Sequence, residues 1–167
     1  MSKPEKGCVC VTGAAGGLGE AVVQLLLNEG YAVSAWDLAP GPLARIKSDA
    51  LTFEQIDTRD RGAMELAVKR AQERFGSIYG LVTMAAIYRT QPFLEIDEAT
   101  WDQHFSINLK GTLLACQSVL PVLRAQKSGS IVMFSSSLAR IGGTNSASYS
   151  ATKGGILGLM RSMALDV

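Results

Sequence analysis

Short apolar runs and longer amphipathic stretches alternate along the chain. The short runs are mostly apolar, and several are rich in β-branched residues, which is typical of buried strands. They predict five strands, at residues 8–13, 31–36, 51–56, 78–84 and 130–136.

The longer stretches repeat apolar residues at helical spacing. The first one predicts an amphipathic helix that ends at residues 28–30. Its apolar residues at i, i+3, i+4, i+7 and i+8 are Leu18, Ala21, Val22, Leu25 and Leu26. Further helices are predicted at 60–75, at 96–124 with a kink near Gly111, and at 149–167.

Strands that alternate with helices form βαβ units, which predicts an α/β fold. We expect a parallel sheet with helices on both faces, because the strands are nearly continuous apolar runs. Doubly wound connectivity predicts the strand order 3-2-1-4-5. No linker divides the sequence, so residues 1–167 are predicted to form one domain.

Composition and charge exclude several classes of function. A net charge of +1 gives no electrostatic case for binding nucleic acid or an acidic membrane. No apolar run reaches the ~20 residues that span a bilayer, and no signal peptide is recognisable at the N-terminus. Three cysteines do not form a disulfide framework, and no cluster completes a metal site around Cys8 and Cys10. We therefore expect buried cysteines, no metal and a cytoplasmic location.

The first predicted strand leads into the glycine-rich segment TGAAGGLG (residues 12–19), and a helix follows. In this setting, backbone N–H groups and a helix N-terminus can hold a pyrophosphate. The glycines fit T-G-x-x-x-G-x-G through Gly13, Gly17 and Gly19, and also T-G-x-x-G-x-x-G through Gly13, Gly16 and Gly19. The alternative is a tight strand–helix turn without a ligand.

Asp37 ends the second strand, 18 residues after Gly19. A carboxylate there accepts hydrogen bonds from ribose hydroxyls and repels a 2′-phosphate. Neither Ala14 nor Leu38 is basic, so the sequence favours NAD over NADP. The alternative for Asp37 is a solvated residue at a strand end.

Together, five motifs in order resemble the short-chain dehydrogenase/reductase family over essentially all 167 residues. They are TGAAGGLG, Asp57 in QIDTRD, Asn108 in SINLKGT, SIVMFSS, and YSATKGG with Tyr149 and Lys153. The resemblance is to the compact, single-domain subgroup, and it implies a Rossmann-type fold. It implies cofactor contacts at Gly13, Ala15, Gly17, Leu18, Gly19, Asp37, Leu38, Asp57, Thr58, Ala85, Tyr149 and Lys153.

The resemblance also implies the catalytic residues. Tyr149 would be the acid/base, and Lys153 would hydrogen-bond the nicotinamide ribose. Ser136, which lies 13 residues before Tyr149, would hold the substrate oxygen, with Ser135 and Ser137 as alternatives. Asn108 would anchor a water that connects the lysine to solvent.

Physical chemistry gives a reason for the spacing of Tyr149 and Lys153. A phenol has a pKa of about 10 and is a poor base at neutral pH. A lysine four residues on lies on the same helical face, where its charge stabilises a phenolate. The alternative is an ordinary helical pair.

After the fourth strand the chain has TMAA (residues 83–86), where the family usually has N-N-A-G. Ala85 matches the family pattern, but polar side chains that would join neighbouring strands are expected to be lost. His104 is expected to be solvated or packed rather than catalytic. Arg89 and Arg140 follow strands four and five and are either solvated or available to an acidic substrate group.

The sequence therefore predicts an NAD-dependent oxidoreductase that interconverts a secondary alcohol and a ketone. The alternative is a dinucleotide-binding sensor or scaffold without turnover. By resemblance we expect a homodimer or homotetramer that uses the helices at 96–124 and 149–167. The family continues for roughly another third of its length, which would supply the last strands. We therefore expect this sequence to be a fragment, a partly described chain, or a chain completed by another, because its fifth strand would otherwise be an exposed edge.

Overall fold

The computed structural model of the chain describes residues 6–167, so the prediction about a signal peptide, which concerns the N-terminal stretch, falls largely outside the described residues. Five strands form one parallel sheet in the order β3-β2-β1-β4-β5, which confirms the predicted order. The strands are β1 (Cys8–Thr12), β2 (Ala32–Asp37), β3 (Leu51–Gln55), β4 (Ile78–Thr83) and β5 (Ser130–Met133).

Helices connect the strands and cover both faces of the sheet. They are α1 (Gly17–Asn28), α2 (Arg61–Phe75), α3 (Glu98–His104), α4 (Gly111–Gln126), α5 (Leu138–Ile141) and α6 (Ala147–Asp166). Short 3₁₀ turns at Gly41–Arg45 and Phe93–Glu95 and the small helix α5 were not predicted. The predicted α/β architecture of three layers is confirmed.

The core lies on both sides of β1, because successive side chains of a strand point to opposite faces. Cys8 and Cys10 are fully buried against α2 and α4, whereas Val9 and Val11 pack with Val23 of α1. Each apolar position of the predicted strand therefore has a partner layer, which explains why the run is apolar without alternation.

The helix predicted at residues 96–124 is not regular, and this part of the prediction is corrected. Between α3 and α4 the chain forms a π-helical turn at Phe105–Lys110, which ends one residue before the predicted kink at Gly111. Asp97 caps α3 by accepting a hydrogen bond from the Thr100 backbone N–H at 2.7 Å. The wider turn coincides with fully buried Asn108, and π-helical turns occur often at functional sites.

Within residues 6–167, β5 pairs with β4 alone and forms one edge of the sheet. Val132 in this strand is 48% exposed. The further strands that we expect from the family stay a prediction. In the same described range no helix is long and apolar enough to cross a bilayer, and no three His, Cys, Asp or Glu side chains are grouped as metal ligands would be.

Candidate active site

Two adjoining cavities lie at the carboxyl ends of the strands, where open α/β sheets bind their ligands. Their volumes are about 720 Å³ and about 350 Å³, and both are lined by Gly13, Gly16 and Met84. The larger one also contains the predicted residues Ala15, Asp37, Leu38, Asp57, Thr58 and Ala85. The smaller one contains the predicted residues Gly17, Leu18, Gly19, Tyr149 and Lys153. Every residue that we expect to contact a cofactor thus lines one crevice.

The glycine-rich loop is packed closely against the end of β4. Gly13 has φ +67°, and a Cβ there would lie 2.6 Å from the Ala85 backbone nitrogen. A Cβ at Gly19 would lie 2.1 Å from the Gly13 carbonyl oxygen. Neither position has room for a larger residue, which accounts for these two glycines.

The start of α1 suits an anionic ligand. Its N-cap, Gly16, has no side chain to satisfy the first backbone N–H groups of the helix. A Cβ on Gly17 would meet no atom within 4 Å, so the loop is open on the cavity side. These free donors at a helix N-terminus fit the pyrophosphate of a dinucleotide.

Two acids lie at the other end of the crevice. The Asp37 carboxylate accepts hydrogen bonds from the backbone N–H groups of Ala15 at 2.9 Å and Leu38 at 2.7 Å. It therefore ties the glycine-rich loop to β2. Asp57 is paired with Arg59, whose guanidinium hydrogen-bonds the carboxylate and holds the pKa of Asp57 below its usual range.

Thr12 connects β1 to the TMAA segment, which begins at the last residue of β4. Its hydroxyl oxygen accepts hydrogen bonds from the backbone N–H groups of Met84 at 3.1 Å and Ala85 at 3.2 Å. The side chain of Thr83 is buried, and its hydroxyl has no hydrogen-bond partner among the described residues. A polar side chain therefore does join the two strands. It is Thr12 on β1, and this contact was not predicted. The signal in the sequence was the threonine directly before Gly13.

Tyr149 and Lys153 lie on one face of α6, as their spacing predicts. The Lys153 Nζ is 5.7 Å from the centroid of the Tyr149 ring. It donates a hydrogen bond to the Phe134 carbonyl oxygen at 2.9 Å, just after β5. Burial lowers the pKa of Lys153, because the charged form loses its hydration.

The three serines after β5 have different surroundings. Ser135 lines the smaller cavity beside Tyr149, and its hydroxyl donates to the Lys153 carbonyl oxygen at 2.7 Å. The Ser136 hydroxyl accepts a hydrogen bond from the Leu138 backbone N–H at 3.2 Å. The assignment of Ser136 as the substrate-binding serine stays a prediction.

Asn108 connects the loop after β4 to α6. Its amide oxygen accepts from the Ile87 N–H at 2.8 Å, and its Nδ2 donates to the Ile87 carbonyl at 3.0 Å. The second Nδ2–H bonds the Thr152 hydroxyl at 3.2 Å, which in turn donates to the Tyr149 carbonyl at 2.8 Å. Both amide donors are thus used within the protein, and a role in anchoring water stays a prediction.

His104 has a structural role. It is fully buried, its Nε2 accepts from the Arg89 backbone N–H at 3.2 Å, and its Nδ1 bonds the Thr100 carbonyl at 2.8 Å. These partners assign the proton to Nδ1. Both ring nitrogens are satisfied, so of the two expected roles, solvated or packed, the structure shows the packed one.

Comparison with known proteins decides the family. A profile of the short chain dehydrogenase family matches residues 7–167. The chain belongs to the short-chain dehydrogenase family. Its glycine-rich loop, Asp37, Tyr149 and Lys153 line the crevice described above, and their contacts with a dinucleotide stay a prediction.

The relatives of this short-chain dehydrogenase include both dehydrogenases and reductases. A cis-4-hydroxycyclohexanecarboxylate dehydrogenase of Sinomonas cyclohexanicum is 38% identical over 93% of this chain and 65% of its own length. A 3-oxoacyl-(acyl-carrier-protein) reductase of Thermotoga maritima is 31% identical over 97% of this chain and 69% of its own length. The chain therefore spans about two thirds of these relatives.

Solved structures agree with this assignment. A short-chain dehydrogenase/reductase of Brucella melitensis, described as a glucose/ribitol dehydrogenase, superposes with a TM-score of 0.89. The two sequences are 32% identical, and the match covers 99% of this chain and 72% of the other. The chain therefore has a fold already known from a solved short-chain dehydrogenase/reductase.

Proposed function

We propose that this protein is an NAD-dependent oxidoreductase that interconverts a secondary alcohol and a ketone, with Tyr149 as the acid/base. One observation carries the proposal: Tyr149 and Lys153 line the same cavity as the glycine-rich start of α1. A site that combines an anion-binding helix terminus with a tyrosine–lysine pair can hold a dinucleotide beside a proton-transfer group.

A bound nicotinamide cofactor supplies the hydride acceptor or donor. Gly17 and its neighbours bind the pyrophosphate through backbone N–H groups. The phenol of Tyr149 moves the proton of the substrate oxygen, and the Lys153 ammonium stabilises the phenolate. Ser136 orients the substrate oxygen, and Asn108 holds the loop after β4 beside them.

The preference for NAD rests on Asp37. Its carboxylate lines the larger cavity and is fixed by two backbone N–H groups. A 2′-phosphate near it would suffer like-charge repulsion. Two arginines line the same cavity. Arg59 is neutralised by Asp57 and so offers little compensation, and the proposal assigns Arg89 to the substrate.

For the substrate we propose a cyclic secondary alcohol that carries a carboxylate, because the relative from Sinomonas cyclohexanicum is a cis-4-hydroxycyclohexanecarboxylate dehydrogenase. Arg89 lines the larger cavity, and Arg140 lies in α5 after β5. Either guanidinium can bind a carboxylate in a bidentate manner.

The proposal includes a homo-oligomer in the cytoplasm. A groove of about 570 Å³ lies between α4, the π-helical turn and α6, and its apolar lining includes Leu109, Leu113 and Leu159. This surface supports a homodimer through the two helices. Three free buried cysteines suit a reducing compartment.

The proposal is tested by two measurements on the same protein. NADH binding is followed by cofactor fluorescence, and oxidation of a panel of secondary alcohols, including 4-hydroxycyclohexanecarboxylate, is followed by NADH absorbance. We expect Tyr149→Phe to bind NADH with an affinity within about twofold of wild type and to lose turnover by roughly 10³-fold or more.

Wild-type protein that binds NADH but oxidises no alcohol and reduces no ketone would favour the dinucleotide sensor instead. Unchanged turnover in Tyr149→Phe would remove Tyr149 from the mechanism. A preference for NADPH would contradict only the role of Asp37 in repelling a 2′-phosphate. The proposed reaction would still stand.

A further inference from the structure

The ring of Tyr88 packs directly on the ring of Tyr149. The two centroids are 4.7 Å apart and the rings are tilted by 58°, a geometry typical of favourable aromatic pairs. Tyr88 lies in the loop after β4 and lines the same small cavity as Tyr149 and Lys153. It is also 54% exposed, so burial alone does not account for its orientation.

A hydrogen bond fixes the far end of the Tyr88 ring. The Tyr88 hydroxyl is 2.8 Å from the Ser146 Oγ, and the Ser146 hydroxyl itself donates to the Thr144 carbonyl oxygen at 2.9 Å. The Ser146 proton is therefore committed, and Tyr88 is the donor in this pair. The result is a chain of two hydrogen bonds that ends on backbone.

Ser146 makes this contact in place of the hydrogen bond that an N-cap serine usually makes to its own helix. It occupies the N-cap position of α6, where a serine usually accepts a hydrogen bond from the first turn, yet its side chain makes no capping bond. It is 2% exposed. A buried serine at an N-cap that bonds Tyr88 instead of its own helix indicates that the position of Tyr88 is specified.

The backbone around Tyr88 is also held on both sides. Ile87 is bound through its N–H and its carbonyl by Asn108, and the Arg89 N–H donates to His104. Further along, the Gln91 N–H donates to the Asn145 carbonyl at 2.9 Å, next to Ser146. The loop that carries Tyr88 thus has little freedom to move the ring away from Tyr149.

We propose that Tyr88 is a positioning residue that holds the Tyr149 phenol in the orientation needed for proton transfer, through ring packing and the Ser146 hydrogen bond. This inference rests on the proposed function, in which Tyr149 is the acid/base. Tyr88 does not exchange a proton with substrate; it limits the rotation of a neighbouring ring. Small displacements of a catalytic group reduce turnover strongly, by up to about 100-fold for ~1 Å.

The first test observes Tyr149 without any need for turnover. The chain has four tyrosines, so protein labelled with 3-fluorotyrosine gives a simple ¹⁹F NMR spectrum, and the Tyr149 signal is assigned by its loss in Tyr149→Phe. We expect Ser146→Ala, which removes the hydrogen bond to Tyr88 but keeps both tyrosine side chains, to shift or narrow the Tyr149 signal. Tyr79→Phe is the matched control, because Tyr79 near the start of β4 pairs with Tyr31, directly before β2, at a centroid distance of 4.9 Å.

The second test is kinetic. For an alcohol that wild type oxidises, we expect Tyr88→Leu to lower kcat roughly tenfold or more and Tyr88→Phe only about threefold, with NADH affinity unchanged in both. Tyr88→Phe and Ser146→Ala remove the same hydrogen bond, so the double variant should be no slower than either single one. Tyr79→Phe should match wild type.

An unchanged Tyr149 signal in Ser146→Ala and Tyr88→Leu would overturn the inference, as would a kcat of Tyr88→Leu equal to that of wild type. If wild type oxidises no alcohol, the proposed function fails by itself. The NMR comparison then still decides whether Tyr88 fixes the Tyr149 ring.

Discussion

Lys153 is a lysine with 3% of its surface exposed, and its ammonium has one hydrogen-bond partner, the Phe134 carbonyl, among the described residues. Burying a charge costs free energy, and this cost appears as a lowered pKa of Lys153. A methionine has a similar length and carries no charge. We expect Lys153→Met to raise the free energy of unfolding at pH 7 by about 1 kcal/mol while abolishing turnover.

The sign of the pH dependence follows from the direction of the shift. In the folded state the pKa of Lys153 lies below the ordinary lysine value of about 10.4, so in the window between the two the unfolded state binds more protons. The free energy of unfolding of wild type therefore rises, relative to that of the methionine variant, as pH rises through that window. Urea unfolding at pH about 7 and about 10 measures the difference. A methionine variant less stable than wild type at pH 7 would show that the bond to Phe134 outweighs the cost of burial.

Asp37 allows a separate prediction about the cofactor. Asp37→Asn removes the negative charge but keeps an oxygen that can accept from the Ala15 N–H. We expect the affinity for NADPH relative to NADH to rise by roughly tenfold or more, because like-charge repulsion is relieved. Fluorescence titrations with both cofactors measure this ratio, and Asp166→Asn at the end of α6 is the control. An unchanged ratio would mean that Asp37 does not face the ribose.

Some residues of the candidate site could be predicted from the sequence, and others could not. Tyr149, Lys153 and Gly13 could be identified because each belongs to a motif whose spacing carries the chemistry. Tyr88 and Ser146 could not, because their contact joins residues 58 positions apart in two loops without a repeat or period. Sequence patterns report periodic elements, whereas such a contact exists only after the elements have packed.

At the scale of elements, the close approach of α4 to the crevice depends on a glycine. A Cβ at Gly111 would lie 2.8 Å from the Thr58 Oγ1 and 3.1 Å from the Thr58 Cβ. We expect Gly111→Ala to lower the free energy of unfolding by ~1–3 kcal/mol, because the clash outweighs the better helix propensity of alanine. Urea unfolding measures the change.

Gly158 in α6 is the matched control, since a Cβ there would meet nothing within 4 Å. Gly158→Ala should raise the free energy of unfolding by about 0.5–1 kcal/mol, because alanine loses less backbone entropy in a helix. If both variants were equally stable, the helix would not be held against Thr58.

Most elements could be predicted because their apolar periods differ clearly between strand and helix. The π-helical turn at Phe105–Lys110 could not, because its apolar residues keep a period close to that of an α-helix. The wider turn coincides with contacts made by Asn108 to a distant loop, and nothing in the local sequence encodes them. Short helices such as α5 lack the length over which a period can be recognised.

At the scale of the whole molecule, the β5 edge is the most exposed part of the sheet. Val132 is 48% exposed in a strand that pairs on one side only within residues 6–167. Free strand edges pair with other copies, and a lysine on the edge opposes this. We expect the chain of 167 residues to associate with increasing concentration, and Val132→Lys to reduce that association.

Size-exclusion chromatography over a range of concentrations measures the effect. Leu66→Lys is the control, because Leu66 is 55% exposed on α2 and the substitution adds the same charge away from the edge. Equal elution of wild type and both variants would show that the edge does not drive association. Equal reduction by both substitutions would assign the effect to net charge.

The crevice is built from the carboxyl ends of all five strands together with α1 and α6, so it exists only when all of these have docked. A dinucleotide that occupies it binds the native state and not the unfolded chain. By mass action, saturation at 100 times Kd then adds about 2.7 kcal/mol to the stability of the entire molecule rather than to one loop. Thermal melting in the presence of each cofactor would thus rank their affinities, even for a variant that performs no chemistry.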